Sequence, residues 1–96
     1  MKLIDELKKK YPAPQKFDHT LSKMPRGTYC VLGAYGRHCR WRYVDVPGFP
    51  TEDYASSHSN FPRYVARHII SANDRGNFKR AWDLLGKAIE KYNEAA

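Results

Sequence analysis

The stretch NFPRYVARHIISANDRGNFKRAWDLLGKAIEKY, residues 60–92, decides the fold. Phe61, Tyr64, Val65, His68, Ile69 and Ala72 recur at the i, i+3, i+4, i+7 spacing of one helix face. Phe78, Ala81, Trp82, Leu85, Ile89 and Tyr92 repeat the pattern. The loop Asn73-Asp74-Arg75-Gly76-Asn77 separates the two runs, with Gly76 as a stop and Asn77 as a fresh cap. Pro62 suits a first turn, where a missing N–H costs nothing, and Asn60 suits the cap before it. Two amphipathic helices in a hairpin are predicted over 60–93. Everything else must pack around them.

Working outward, residues 28–36 are almost wholly apolar, Tyr29-Cys30-Val31-Leu32-Gly33-Ala34-Tyr35. Such a run is buried, but its periodicity does not separate a strand from a helix. Beyond Gly36, Cys39, Trp41 and Tyr43 alternate with Arg40, Arg42 and Val44, which predicts an extended segment over 39–46. Pro47-Gly48-Phe49-Pro50 closes it. Thr51-Glu52-Asp53 suits a short helix start, and Ser56-Ser57-His58-Ser59 reads as loop. At the other end, Leu3, Ile4 and Leu7 stripe a helix over 1–11, with acids early and Lys8-Lys9-Lys10 late, as the helix dipole favours. Residues 12–27 form a connector: Pro12-Ala13-Pro14, a possible turn of helix begun at Asp18 with Phe17, Leu21 and Met24, then Pro25-Arg26-Gly27. The expectation is a mainly α single domain over 1–96, α+β if 28–46 forms a hairpin.

At 96 residues the chain has room for one core. Aromatics make up 14%, enough to supply much of the buried area. No run approaches the length of a membrane span, and Met1-Lys2-Leu3-Ile4-Asp5-Glu6 is too polar for a signal peptide. A cytoplasmic setting with Cys30 and Cys39 reduced is expected, without a membrane partner. The net charge is +7: residues 1–27 carry +4, 28–60 balance, and 61–96 carry +3. An excess of this size either serves solubility or favours an acidic partner, nucleic acid or an acidic host protein.

Two likenesses accompany these patterns. Gly76-Asn77-Phe78, Ala81 and Ala88 resemble the second helix of a tetratricopeptide repeat, although Val65, His68 and Ile69 stand where that family's first-helix residues would fall. Cys30-Val31-Leu32-Gly33-Ala34 followed by Asn73-Asp74 resembles small uncharacterised proteins of phages and actinobacteria. That resemblance implies a helix over 28–36 and a phage-accessory or host-interaction role, in the host cytoplasm. It brings no activity.

Two basic clusters are candidate anion sites. Arg75, Lys79 and Arg80 crowd the start of the last helix, where the dipole is already positive, so a docking anion would relieve them. Arg63 and Arg67, one turn apart, would join them; the plainer alternative is a solvated face softened by Asp74 and Asp83. A helix-turn-helix reading would expose Asn77, Lys79, Arg80 and Asp83 on its second helix. The other cluster is Arg37, Arg40 and Arg42 among rings, suited to phosphates and bases unless Trp41 and Tyr43 simply face the core. Trp41 and Tyr54 are the candidate aromatic anchors for a protein partner.

Chemistry beyond binding has thinner support. Cys30, His38, Cys39 and His58 are ligand types without a Cys-x2-Cys pair, so no metal and no cofactor are expected. Spacing permits a Cys30–Cys39 disulfide, which a reducing compartment opposes. Arg63 and His68 match the Arg-x4-His spacing of helical ribonuclease toxins of the HEPN type, yet His68 falls on an apolar stripe where a core histidine is ordinary. Cys30 with His68 and Asn73 or Asp74 is a second catalytic arrangement, without a local signature. The sequence therefore predicts a non-enzymatic basic binding module.

Overall fold

The computed structural model describes residues 2–15, 29–44 and 49–92. Among them are five helices and no strand: α1 (Leu3–Lys10), α2 (Val31–His38), α3 (Glu52–His58), α4 (Arg63–Asp74) and α5 (Phe78–Tyr92). The fold is mainly α, a small helical bundle, and its most extensive packing is between α4 and α5, the expected hairpin. The turn of helix expected from Asp18, with Phe17, Leu21 and Met24, lies outside the described residues, as do Pro25-Arg26-Gly27 and 45–48.

The hairpin bend satisfies its own backbone. Gly76 adopts φ 78°, a left-handed conformation that costs glycine little. Its N–H then donates to the Asn73 carbonyl, and the Asn77 N–H reaches back to Ala72, both at 2.9 Å. These two bonds are a Schellman closure of α4. Asn77 also opens α5, since its Oδ1 accepts from the Arg80 N–H at 3.3 Å. Asn73 and Asp74 belong to α4 rather than to the loop. Pro62 is the cap position of α4 itself, with no side-chain cap, so the cap falls two residues later than the Asn60 the sequence suggested. α5 buries Ala81, Trp82, Leu85, Ala88 and Ile89; Leu85 and Ile89 each contribute about 1.5–3 kcal/mol by leaving water.

α2 resolves the strand-or-helix ambiguity of 28–36. Val31 to Gly36 are all buried, and α2 packs against α1, α4 and α5. A helix bonds its own backbone and tolerates burial on every side, whereas a lone strand would leave N–H and C=O groups unpaired. Cys30 caps it: its Sγ accepts from the Gly33 N–H at 3.1 Å. Gly36 is needed for close approach, because a Cβ there would meet Trp41 at 2.7 Å and Val44 at 2.8 Å.

The expected extended segment is not found over its described part. Residues 39–44 form turns. Arg40 takes φ 62°, and bonds from Arg40 N to Arg37 O and from Trp41 N to Gly36 O close α2 by the same motif that closes α4. The chain then reverses Trp41 into the core, edge-on to Tyr35 at 5.7 Å, and leaves Tyr43 61% exposed. A period-2 pattern over so few residues was produced here by a helix end, not by a pleat.

Thr51 caps α3, accepting from the Tyr54 N–H. α3 continues through Ser56, Ser57 and His58, which the sequence had placed in a loop. Tyr54 and His58 stack at 4.0 Å one turn apart, and Ser57 and Ser59 hydroxyls bond helix carbonyls, which lets serines sit in this short helix. α1 buries Leu7 and lies on α5, where Lys2 pairs with Glu90 at 2.8 Å.

Candidate anion-binding groove

α4 divides its charged side chains between two faces. Arg63 bonds Glu52 at 3.0 Å and Asp53 at 2.6 Å, and Arg67 bonds the other Glu52 oxygen at 3.2 Å, so both turn to α3. They do not join Arg75, which lies ~18 Å further along the helix axis from Arg63. The ridge Tyr64, His68, Ser71 and Arg75 looks the other way, across to Arg80, Leu84, Lys87 and Lys91 of α5. Between the two ridges runs a groove.

At the bend, a concavity of about 230 Å³ is lined by His68, Ser71, Ala72, Arg75, Asn77, Arg80 and Leu84. Arg75 and Arg80 thus come together from the end of α4 and the start of α5, and among the described residues no carboxylate takes part in the lining. Both are exposed, and neither has a carboxylate within ion-pair distance among the described residues. Lys79 is exposed on the first turn of α5 but lies outside this lining. The negative end of the α4 dipole meets the positive end of α5 here, so the dipoles offset. Side chains then decide the sign. Asp74 is not among the lining residues; burial first, and the Asp74 charge in smaller part, hold up the Cys30 thiol. The Asn77 cap already uses the Arg80 N–H, so an anion in the concavity would meet guanidinium groups before that amide.

The histidine expected in the core is exposed. His68 and Tyr64 sit at the edge of the apolar stripe, and the core side of α4 is Ala66, Ile69, Ala72 and Asn73. Five residues put His68 about 140° around the helix from Arg63. The Arg-x4-His spacing therefore places the two side chains on different faces, with the arginine held by α3 carboxylates. In the Cys30 arrangement, Asn73 and Asp74 act beside Cys30 while His68 lines the bend concavity. Burial pushes the Cys30 thiol up to about 11, with Gly33 N–H pulling the other way, so the thiolate is disfavoured. Asn73 is buried and occupied: Oδ1 accepts from Val31 N–H and Nδ2 donates to the Gln15 carbonyl, both at 2.9 Å. Cys30 and Cys39 are both free thiols.

The second basic cluster is more dispersed. Arg37 is half-buried with its guanidinium over the Tyr29 ring at 5.4 Å. Arg40 occupies the left-handed position that ends α2, and Arg42 lends its carbonyl to the Tyr54 hydroxyl. Trp41 is 9% exposed and belongs to the core; Tyr54 is half-buried against Trp41, Phe49 and His58. These two rings hold the turn together instead of standing out as anchors. Among the described residues, Tyr43 and Tyr64 are the exposed large hydrophobic side chains, at 61% and 50%. Among the described residues, no three His, Cys, Asp or Glu side chains gather as a metal site, and no helix is long and apolar enough to cross a membrane.

In comparisons with known proteins, no family model, no curated protein and no solved structure matches this chain.

Proposed function

We propose that the chain is a non-enzymatic binding module that engages an acidic partner at the α4–α5 bend. Arg75 and Arg80 hold the anionic group, His68 and Ser71 offer it polar contacts, and Lys79 adds positive potential at the rim. One observation carries this: two guanidinium side chains, from the end of one helix and the start of the next, open onto one concavity whose lining includes no carboxylate among the described residues. Like charges so placed repel, and an anion between them relieves that repulsion while accepting their N–H groups. Arg63 and Arg67 show the contrast, since each already has an acid beside it. The resemblance of Cys30 to Ala34 and Asn73-Asp74 to phage proteins gives the proposal a host-directed setting.

Fluorescence anisotropy with labelled oligothymidylate and labelled polyglutamate tests it. At least one probe binds, affinity falls steeply with added salt, and Arg75→Glu with Arg80→Glu weakens it tenfold or more. Reversing Lys8 and Lys9 has a smaller effect. No binding to either probe, or equal loss at the lysine control, overturns the proposal.

A further inference from the structure

The concavity at the bend does not end at His68. A second depression of about 190 Å³ continues along the same helix pair, lined by Tyr64, Val65, His68, Leu84, Lys87, Ala88, Lys91 and Tyr92. His68 and Leu84 belong to both. One trough therefore follows the whole hairpin. Its bend end carries Arg75 and Arg80, and its far end carries the rings of Tyr64 and Tyr92, whose hydroxyls lie 3.4 Å apart. Lys87 and Lys91, both exposed, stand on the α5 wall.

We infer that this trough binds single-stranded nucleic acid, with backbone phosphates on Arg75, Arg80, Lys87 and Lys91 and bases against Tyr64 and His68. The inference rests on the function proposed above and names its partner. Three features favour a single strand over an acidic protein segment. Cations line the trough along its length, and among the described residues no carboxylate does: Glu90 is taken up by Lys2, and Asp83 is not part of the lining. Rings on the α4 wall face the α5 cations across the trough, Tyr64 half exposed with His68 edge-on at 6.3 Å, and a base has a face to offer them where an acidic peptide does not. The groove between two packed helices, whose axes lie ~8–10 Å apart, is also too narrow for a duplex. The hydrogen bond between the two hydroxyls raises the Tyr92 phenol above its ordinary value.

The test compares four probes on the full chain: labelled oligothymidylate, an abasic sugar-phosphate oligomer of equal length, the corresponding duplex, and polyglutamate. Oligothymidylate is expected to bind tightest. Tyr64→Ala should weaken it about tenfold and leave the abasic oligomer unchanged, while Tyr64→Phe keeps the ring and the affinity. Tyr64 is half exposed, and circular dichroism checks that the variant keeps its helices. Polyglutamate or the abasic oligomer binding as tightly as oligothymidylate overturns the inference. So does an unchanged affinity in Tyr64→Ala. If Arg75→Glu with Arg80→Glu still abolishes binding in those cases, the anion site stands and only its partner was misassigned; if that double reversal has no effect, both fall.

Discussion

The Asn73 side-chain oxygen accepts the Val31 backbone N–H at 2.9 Å, 42 residues away in sequence, at a point where both residues are buried. The last turn of α4 thereby caps the first turn of α2. The same amide donates to the Gln15 carbonyl, and Gln15 N–H in turn reaches the Tyr29 carbonyl at 2.8 Å. One side chain ties three segments together. With its oxygen and nitrogen both used, Asn73 is a structural residue.

Replacing Asn73 by Ala or Leu leaves a buried N–H unpaired. The expected loss is about 1–3 kcal/mol, read as a drop in melting temperature of several degrees. Asn73→Asp keeps the acceptor for Val31 but sets an oxygen against the Gln15 carbonyl and buries a charge beside Asp74, and should lose at least as much stability as Asn73→Ala at neutral pH. Equal stability of all three would mean the bond is not formed.

Gly36→Ala should destabilise by about 1–3 kcal/mol, because the added methyl overlaps Trp41 and Val44, and Trp41 is itself packed in the core. Tryptophan fluorescence should shift with it as the ring is displaced. Chemical denaturation measures the first effect and the emission maximum the second.

Arg40 holds the left-handed conformation that Gly76 holds at the other closure. Removing its Cβ relieves a clash worth about 1 kcal/mol, so Arg40→Gly should stabilise the chain. A melting temperature that falls instead would show that the arginine side chain contributes more than its backbone costs.

Cys30 gives the chain an alkaline limit. Its thiol rises from 9.0 to about 11 on burial, so between those values the unfolded chain releases a proton that the native chain keeps. The sign follows: this contribution is complete below pH 9 and is lost as pH rises through 11. Subtracting the pH profile of Cys30→Ser, which keeps an acceptor at the cap, isolates it from tyrosine and lysine titrations. Alkylation of Cys30 at neutral pH should be slow compared with an exposed thiol.

Much of the fold was legible because it follows local rules. Helical spacing over 60–92, glycine and asparagine at 76 and 77, and threonine before two acids at 51–53 each act within a few residues. Non-local effects were not. Nothing near Arg63 announces that Glu52 and Asp53 take it up, since that depends on where α3 packs. Trp41 looked like part of an alternating strand because a helix closure also places every second side chain on a new face. His68 reads as a core residue because Tyr64 and Val65 beside it obey the same spacing, although the stripe is wide and its edge is open. The signal that would have found the groove is the α4 row Tyr64, His68, Ser71 and Arg75, which is one face at helical spacing and holds no acid.

The most direct measurement is an NMR titration of the isotope-labelled full chain with oligothymidylate, following arginine Nε–Hε signals. The predicted result is that Arg75 and Arg80 shift together, with His68 and Tyr64 ring signals, while Arg63 and Arg67 stay on their α3 carboxylates. Shifts confined to Arg40 and Arg42, or to the lysines of α1, would contradict the assignment of the groove.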